Sequence, residues 1–233
     1  MSLVDSAPPA STASAEPVRP QVAFQMSLAR YAAQPLLVRA FVRARYLLAP
    51  LARVLAEMPA SGRILDVGCG HGLFTNALAL GSPARDVVGI DPSAAKTAVA
   101  RASAVGLVNV RYVQATVQEL DERDFDAISV LDVLYLLPVA DKLALLRSCR
   151  ERLAPGGLLV LKTNDTSPGW KCSFARLQEQ LMTGLGLTMG QGLYFLSREQ
   201  NAALLELAGF RPRTIVLPSW LPYPHVVFVS RPA

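Results

Sequence analysis

One run limits what this chain can fold into more than any other, Arg63-Ile-Leu-Asp-Val-Gly-Cys-Gly-His-Gly72. An apolar stretch of strand character leads into three glycines at alternate positions, and a helical pattern begins at Leu73. Glycine takes up positive φ and lets backbone approach a ligand closely. The run therefore predicts a strand, a tight loop at its carboxyl end and a helix that returns along the sheet.

The same texture repeats downstream. Short β-rich runs near Arg63–Val67, Asp86–Ile90, Asn109–Gln114, Phe125–Leu131 and Leu158–Thr163 alternate with helical segments near Leu73–Leu80, Ser93–Val105 and Ala140–Leu153. Right-handed crossovers then predict an α/β fold, with a doubly wound, mostly parallel seven-stranded sheet and helices on both faces. Ser197 with Gln200 forms a capping box for a helix that Gly209 ends, and final strands fall near Thr214–Leu217 and Val226–Val229. Residues 165–196 are too long for an ordinary connection and hold a helical stretch around Phe174–Met182, so they read as an insertion that caps a site.

Ahead of this domain, which is placed at 59–233, residues 1–20 are rich in Ala, Ser and Pro and read as a disordered leader. Residues 21–58 read as a basic helical cap of two short helices broken near Pro35 and Pro50. Residues 17–56 carry Arg19, Arg30, Arg39, Arg43, Arg45 and Arg53 and no acid, which exceeds the net charge of +5 for the whole chain. Three readings stay open for that segment: a solvated helix pair capping the site, a surface docking on acidic lipids or an acidic carrier protein, or a nucleic-acid contact. Without basic-aromatic interleaving, nucleic acid ranks last.

Glycines in the apolar stretch 180–197 and prolines in 214–230 argue against spanning helices despite 52% hydrophobic residues. Three widely spaced cysteines and two histidines give no disulfide framework or zinc pattern. With no signal-peptide pattern either, a cytoplasmic location is expected, with peripheral membrane contact open through the arginines.

The glycine spacing is G-x-G-x-G, not the G-x-G-x-x-G of a pyrophosphate loop, and Asp66 stands two residues ahead of Gly68. A carboxylate there suits a cationic amine better than a phosphate. Asp91 follows Gly68 by 23 residues at the end of the next strand, the spacing at which an acid reaches ribose hydroxyls. An amine, a ribose and no pyrophosphate describe S-adenosyl-L-methionine.

Ile64-Leu-Asp-Val-Gly-Cys-Gly-His-Gly72, Gly89-Ile-Asp-Pro-Ser93, Phe125-Asp-Ala-Ile128 and Leu153-Ala-Pro-Gly-Gly-Leu158 together resemble the successive motifs of class I SAM-dependent methyltransferases, which have a Rossmann-like fold. The resemblance covers roughly residues 60–165 in order. It implies that Asp66 and the backbone of Gly68 and Gly70 hold the methionine part, that His71 and Gly72 complete the loop, and that Asp91 pairs with the ribose. Ile90 and Pro92 would wall the adenine. Where the family often has an acid after the third strand this chain has Thr116, so adenine recognition would rest on Thr116 and the backbone of Val117. Against these roles, Cys69 also reads as a small buried filler, His71 as an ordinary first-turn residue, and Asp126 and Pro155-Gly156-Gly157 as turn features.

Methyl transfer is an in-line displacement, and a general base is needed only if the acceptor must lose a proton. Candidates to orient or deprotonate an acceptor are Asp132, also counted with the cofactor-binding residues, Tyr135 and His225. Lys162, Asp165, Trp170, Lys171, Tyr194 and Tyr223 lie in the same carboxyl-terminal region. The apolar insertion and tail favour a small-molecule or lipid-like acceptor, with transfer to oxygen favoured over nitrogen or carbon. A non-catalytic SAM-binding or partner-docking protein is the alternative, and an RNA-modifying enzyme ranks behind it.

Overall fold

A computed structural model describes residues 16–165, 194–217 and 225–233. The amino-terminal part holds α1 (Pro20–Ala29), α2 (Leu36–Leu48) and α3 (Leu51–Leu55). The strand–helix alternation follows as β1 (Gly62–Val67), α4 (Leu73–Gly81), β2 (Arg85–Ile90), α5 (Ala94–Ser103), β3 (Val110–Val113) and β4 (Phe125–Leu131). A 3-10 turn (Leu134–Leu136), α6 (Val139–Arg152) and β5 (Leu153–Asn164) come next, then α7 (Arg198–Leu207), β6 (Phe210–Leu217) and β7 (His225–Pro232).

The strands form one sheet in the order β3-β2-β1-β4-β5-β7-β6. The first five strands are parallel, and β7 is antiparallel to both β5 and β6, so the sheet is mixed. Winding runs outward from β1 to β2 and β3, then restarts on the other side with β4. That reversal opens a crevice at the carboxyl ends of β1 and β4, where ligands of open α/β sheets bind.

Alternate residues on the central strands feed two cores. Leu65, Val88, Ile128 and Leu161 pack with Leu145 and Leu146 of α6 and with Leu204 and Leu205 of α7. Ile64, Val87, Ala127 and Val160 pack on the opposite face with Leu78 of α4, Val54 of α3 and Phe24 of α1. Burial on both faces is why these strands read as near-continuous apolar runs.

Several boundaries move. The amino-terminal part contains three helices, because Pro20 opens α1 at a position where its missing N–H is harmless. Residues 16–20 are not a loose leader: the Val18 N–H donates to Gly81 O at 2.8 Å, docking them on the end of α4. Residues 1–15 lie outside the described residues. So do Trp170, Lys171, Tyr223 and the helical stretch expected at Phe174–Met182. The turn expected at Pro155-Gly156-Gly157 lies inside β5, where the register with β4 jumps between the Phe125–Leu153 and Ala127–Leu158 pairs. The capping box is present, with Gln200 N–H to Ser197 Oγ and Ser197 N–H to Gln200 Oε1, and Gly209 follows the helix with φ +84°.

Phe24 is fully buried against the rings of Tyr46 and Phe74, with centroids 5.3 and 6.1 Å away. If α1 is part of the core, Phe24→Ala lowers stability by about 3–5 kcal/mol in a urea melt. A loss under about 1 kcal/mol would show that the segment docks only loosely.

Candidate active site

After β1 the chain turns through Gly68–Gly72. The N–H groups of Gly68 and Cys69 donate to Ile90 O at 2.8 and 2.9 Å, and Gly70 N–H donates to Asp91 Oδ2 at 2.9 Å. Asp91 Oδ1 accepts the Ser93 N–H at 2.9 Å, so this carboxylate ties the β1 loop to the start of α5. The three glycines all have positive φ, for different reasons. A Cβ on Gly68 would strike Val133 at 2.4 Å and one on Gly72 the Tyr112 hydroxyl at 2.5 Å, whereas one on Gly70 would meet nothing within 4 Å. Gly72 thus serves packing, and Gly70 leaves room over the loop.

Asp66 lies on the face of β1 that α4 covers. Its Oδ2 accepts from Thr75 Oγ1 at 2.6 Å and its Oδ1 from Ser129 Oγ at 2.7 Å. Burial pushes its pKa up to about 6, against the lowering effect of the two hydroxyls and of Arg45. A cation delivered to this carboxylate relieves that burial.

A cavity of about 610 Å³ opens over the switch point. On the β1–β2 side it is lined by Asp66, Gly68, Gly70, His71, Asp91 and Pro92. On the β4–β5–β7 side it is lined by Asp132, Tyr135, Lys162, Asn164 and His225, and α2 contributes Phe41, Arg45 and Leu48. Gly72, Ile90, Thr116 and Val117 are not among the lining residues. The Thr116 N–H and Oγ1 both bind Glu119 Oε2, at 2.8 and 2.9 Å, and Val117 is buried in the core.

His71 stands beside Phe41, with ring centroids 5.1 Å apart. Burial, and then the charges of Lys96 and Arg45, lower its pKa to about 4, so the imidazole is neutral near pH 7. Asp132 leaves β4 with φ +62°, a conformation rare for a residue with a side chain. Its Oδ1 lies 2.5 Å from Lys162 Nζ and its Oδ2 3.4 Å from Arg45 Nη2. Burial alone would raise its pKa, but Lys162 and Arg45 outweigh it and the net shift is downward, which makes Asp132 a poor proton acceptor. His225 Nδ1 lies 3.1 Å from Asn164 Oδ1 and Nε2 lies 3.0 Å from Leu48 O. With both ring nitrogens engaged, His225 pins α2 to the β5–β7 edge. Tyr135 stacks on Phe195 at 5.0 Å.

The sequence reading missed Arg45, Phe41 and Leu48 as site residues. Their spacing of four and three places them on one helical face, a signal masked by the arginines around them. Among the described residues no cluster of His, Cys, Asp and Glu is placed to hold a metal ion, and no helix is long and apolar enough to cross a membrane.

A mixed, mostly parallel sheet with this switch point, a G-x-G-x-G loop and two acids at the ends of β1 and β2 define a class I SAM-dependent methyltransferase. Residues 38–215 match the model of a methyltransferase-domain family, and the chain belongs to that family. It is 42% identical over 167 residues to the ubiquinone biosynthesis O-methyltransferase of Cereibacter sphaeroides, covering 67% of this chain and 64% of that one. It is 40% identical over 110 residues to the enzyme of the same description from Alkalilimnicola ehrlichii, covering 46% and 43%. The matches thus span roughly half to two thirds of these relatives. In fold it is similar to the Burkholderia thailandensis 1,6-didemethyltoxoflavin-N1-methyltransferase, solved with 1,6-didemethyltoxoflavin and S-adenosylhomocysteine, with TM-score 0.64, 19% identity and coverage of 98% and 93%.

S-adenosylmethionine is the cofactor, and the residues present fit it: space above Gly70, a buried carboxylate for an ammonium, and lone pairs left on Asp91 for hydroxyls. The unfolded chain ionises Asp66 near 3.8 and the folded chain near 6, so the native state binds the extra proton between those values. Stability therefore falls as pH rises through that window, and the full cost, on the order of 2–3 kcal/mol, is present above pH 6. Asp66→Asn is expected to raise the melting temperature of the ligand-free protein at pH 7 while weakening S-adenosylhomocysteine binding about 100-fold or more in calorimetry. A destabilised variant with unchanged affinity would contradict this account of Asp66.

Proposed function

We propose that this methyltransferase acts on an oxygen of a small, largely apolar acceptor. The observation that carries the reading is the two-sided cavity: carboxylates on the β1–β2 side, and on the β4–β5 side apolar walls from Phe41, Leu48, Tyr135, Leu136 and Leu137. The similarity to ubiquinone biosynthesis O-methyltransferases supports oxygen as the acceptor atom.

In this reading Asp66 receives the amino group of the cofactor. Gly68 and Gly70 contribute space and carbonyl edges, since their N–H groups already donate to Ile90 and Asp91. Asp91 uses one lone pair of each oxygen within the protein and offers the others to the ribose hydroxyls. Pro92 walls the base. No cofactor contact is assigned to Thr116 and Val117 in this reading, since neither lines the cavity. His71 acts as a neutral hydrogen-bonding group.

Bound S-adenosylmethionine supplies a methyl group already activated on a sulfonium. The chain's own task is alignment and exclusion of water, and positioning of this kind supplies up to about 7–11 kcal/mol. Residues 21–58 cap the site as part of the same folded unit, with α2 over the cavity. Asp132 and His225 act as positioning residues, one steadying Arg45 and the other anchoring α2, and Tyr135 packs against the acceptor.

Incubation with methyl-labelled cofactor and a cell extract tests the reading: label should appear in an organic-extractable, alkali-stable ether fraction. Label confined to RNA, protein or amines would contradict it, and no labelled product would favour a binding role.

The opposite face of α2 supports a second, compatible role. Leu36, Ala40, Arg43 and Leu47 form one exposed stripe, with the two leucines 75% and 74% exposed in an acid-free segment. Such a stripe fits peripheral docking on anionic lipid, beside the cavity an apolar acceptor would enter. The protein should sediment with phosphatidylglycerol–phosphatidylcholine vesicles and lose at least half of that binding in Leu36→Ser/Leu47→Ser. Equal binding to pure phosphatidylcholine would contradict charge-driven docking.

A further inference from the structure

Three features of the β4–β5 side bear on the state in which an acceptor arrives. First, it lacks a competent base among the described residues: Asp132 is held ionised between two cations, and both nitrogens of His225 are engaged. Second, two cations, Arg45 and Lys162, meet at the Asp132 carboxylate. Asp141, the other acid on that side of the lining, stands exposed at the start of α6, where water screens it. Third, Arg45 commits only Nη2, to Leu131 O at 3.2 Å and Asp132 Oδ2 at 3.4 Å, while a guanidinium has five donors. The left-handed turn at Asp132 places that carboxylate under Arg45, and the Asp132 N–H donates to Lys162 O at 3.0 Å to hold it there.

Arg45 lines the same cavity as Asp66 and His71 on the cofactor side and Asp132 on the other, and its charge acts on all three. A group held by Arg45 is therefore held near the place where cofactor and acceptor meet. The other charges facing this space are Asp91 and Lys96 on the cofactor side and Lys162 beneath.

We infer that Arg45 binds the ionised oxygen of the acceptor, so that the substrate class is an apolar or aromatic molecule with an acidic hydroxyl, a phenol or enol. This rests on the O-methyltransferase reading above and names the substrate chemistry of the same site. The proton leaves to solvent as the oxygen settles against Arg45. The oxyanion then forms the new bond to the methyl carbon while the carbon–sulfur bond breaks with its electron pair left on sulfur. The positive sulfonium and the negative oxygen both become neutral, and no protein base is required. The ether product has lost the charge that Arg45 held, which favours its release. Arg45 is in this sense a catalytic residue supplied by the amino-terminal cap.

4-Nitrophenol is a suitable probe because its anion absorbs in the visible range. With the full chain saturated by S-adenosylhomocysteine, bound 4-nitrophenol should ionise about one pH unit lower than in solution, a tenfold shift, and 4-nitroanisole should bind at least tenfold more weakly. Arg45→Gln should abolish the shift while the variant still binds S-adenosylhomocysteine in calorimetry, and Arg45→Lys should restore part of it. Absence of a shift in the wild type, equal binding of the ether, or a full shift in Arg45→Gln each overturns the inference. Failure of S-adenosylhomocysteine to bind, read separately by calorimetry, would instead sink the cofactor reading beneath it.

Discussion

Asp66 holds an ionised carboxylate inside the protein with only two hydroxyls and a distant arginine to offset the loss of water. A buried carboxylate in this state destabilises the ligand-free fold, a cost that the proposed pairing with the cofactor's ammonium offsets. The neighbouring geometry follows from it. Ser129 on β4 and Thr75 on α4 reach Asp66 only because β1 is flanked by β4 and covered by α4, which is the topology that also opens the crevice.

The second constraint is closure. The parallel strands offer a crevice, and Phe41, Arg45 and Leu48 of α2 line the cavity above it. That helix is held by polar contacts at its far end, where Leu48 O meets His225 and Arg45 meets Asp132 and Leu131 O, while the segment before it is anchored by Phe24 of α1 and by Tyr31 in the following turn, whose hydroxyl donates to His71 O at 2.7 Å. Amino-terminal helices and glycine loop are thus one mechanical unit. Phe41, Arg45 and Leu48 of α2 face the cavity, and Leu36, Ala40, Arg43 and Leu47 face solvent.

Much of this was legible in the chain. The glycine loop, Asp66 and Asp91 stand in local patterns whose spacing is fixed by strand and turn geometry, and the strands declare themselves because burial on both faces demands apolar runs. The capping box at Ser197 is likewise a four-residue signal. What escaped depends on contacts distant in sequence. Arg45 meets Asp132, 87 positions away, and the ring of His225 meets Leu48 O, 177 positions away, pairings that no local pattern announces. Gly72 looks like a ligand-facing glycine from its motif, but Tyr112 on β3 decides its role. Thr116, read by analogy with an acid, is absorbed by a local turn with Glu119.

The most direct test of the central claim is the pH dependence of S-adenosylhomocysteine affinity, measured by calorimetry between pH 5 and 8. With Asp66 taking up its proton near pH 6 in the free protein, affinity should be level above about pH 7. Below about pH 6 it should fall toward tenfold per pH unit, with proton release on binding. Affinity that is constant across the range, with no proton released, would contradict the account.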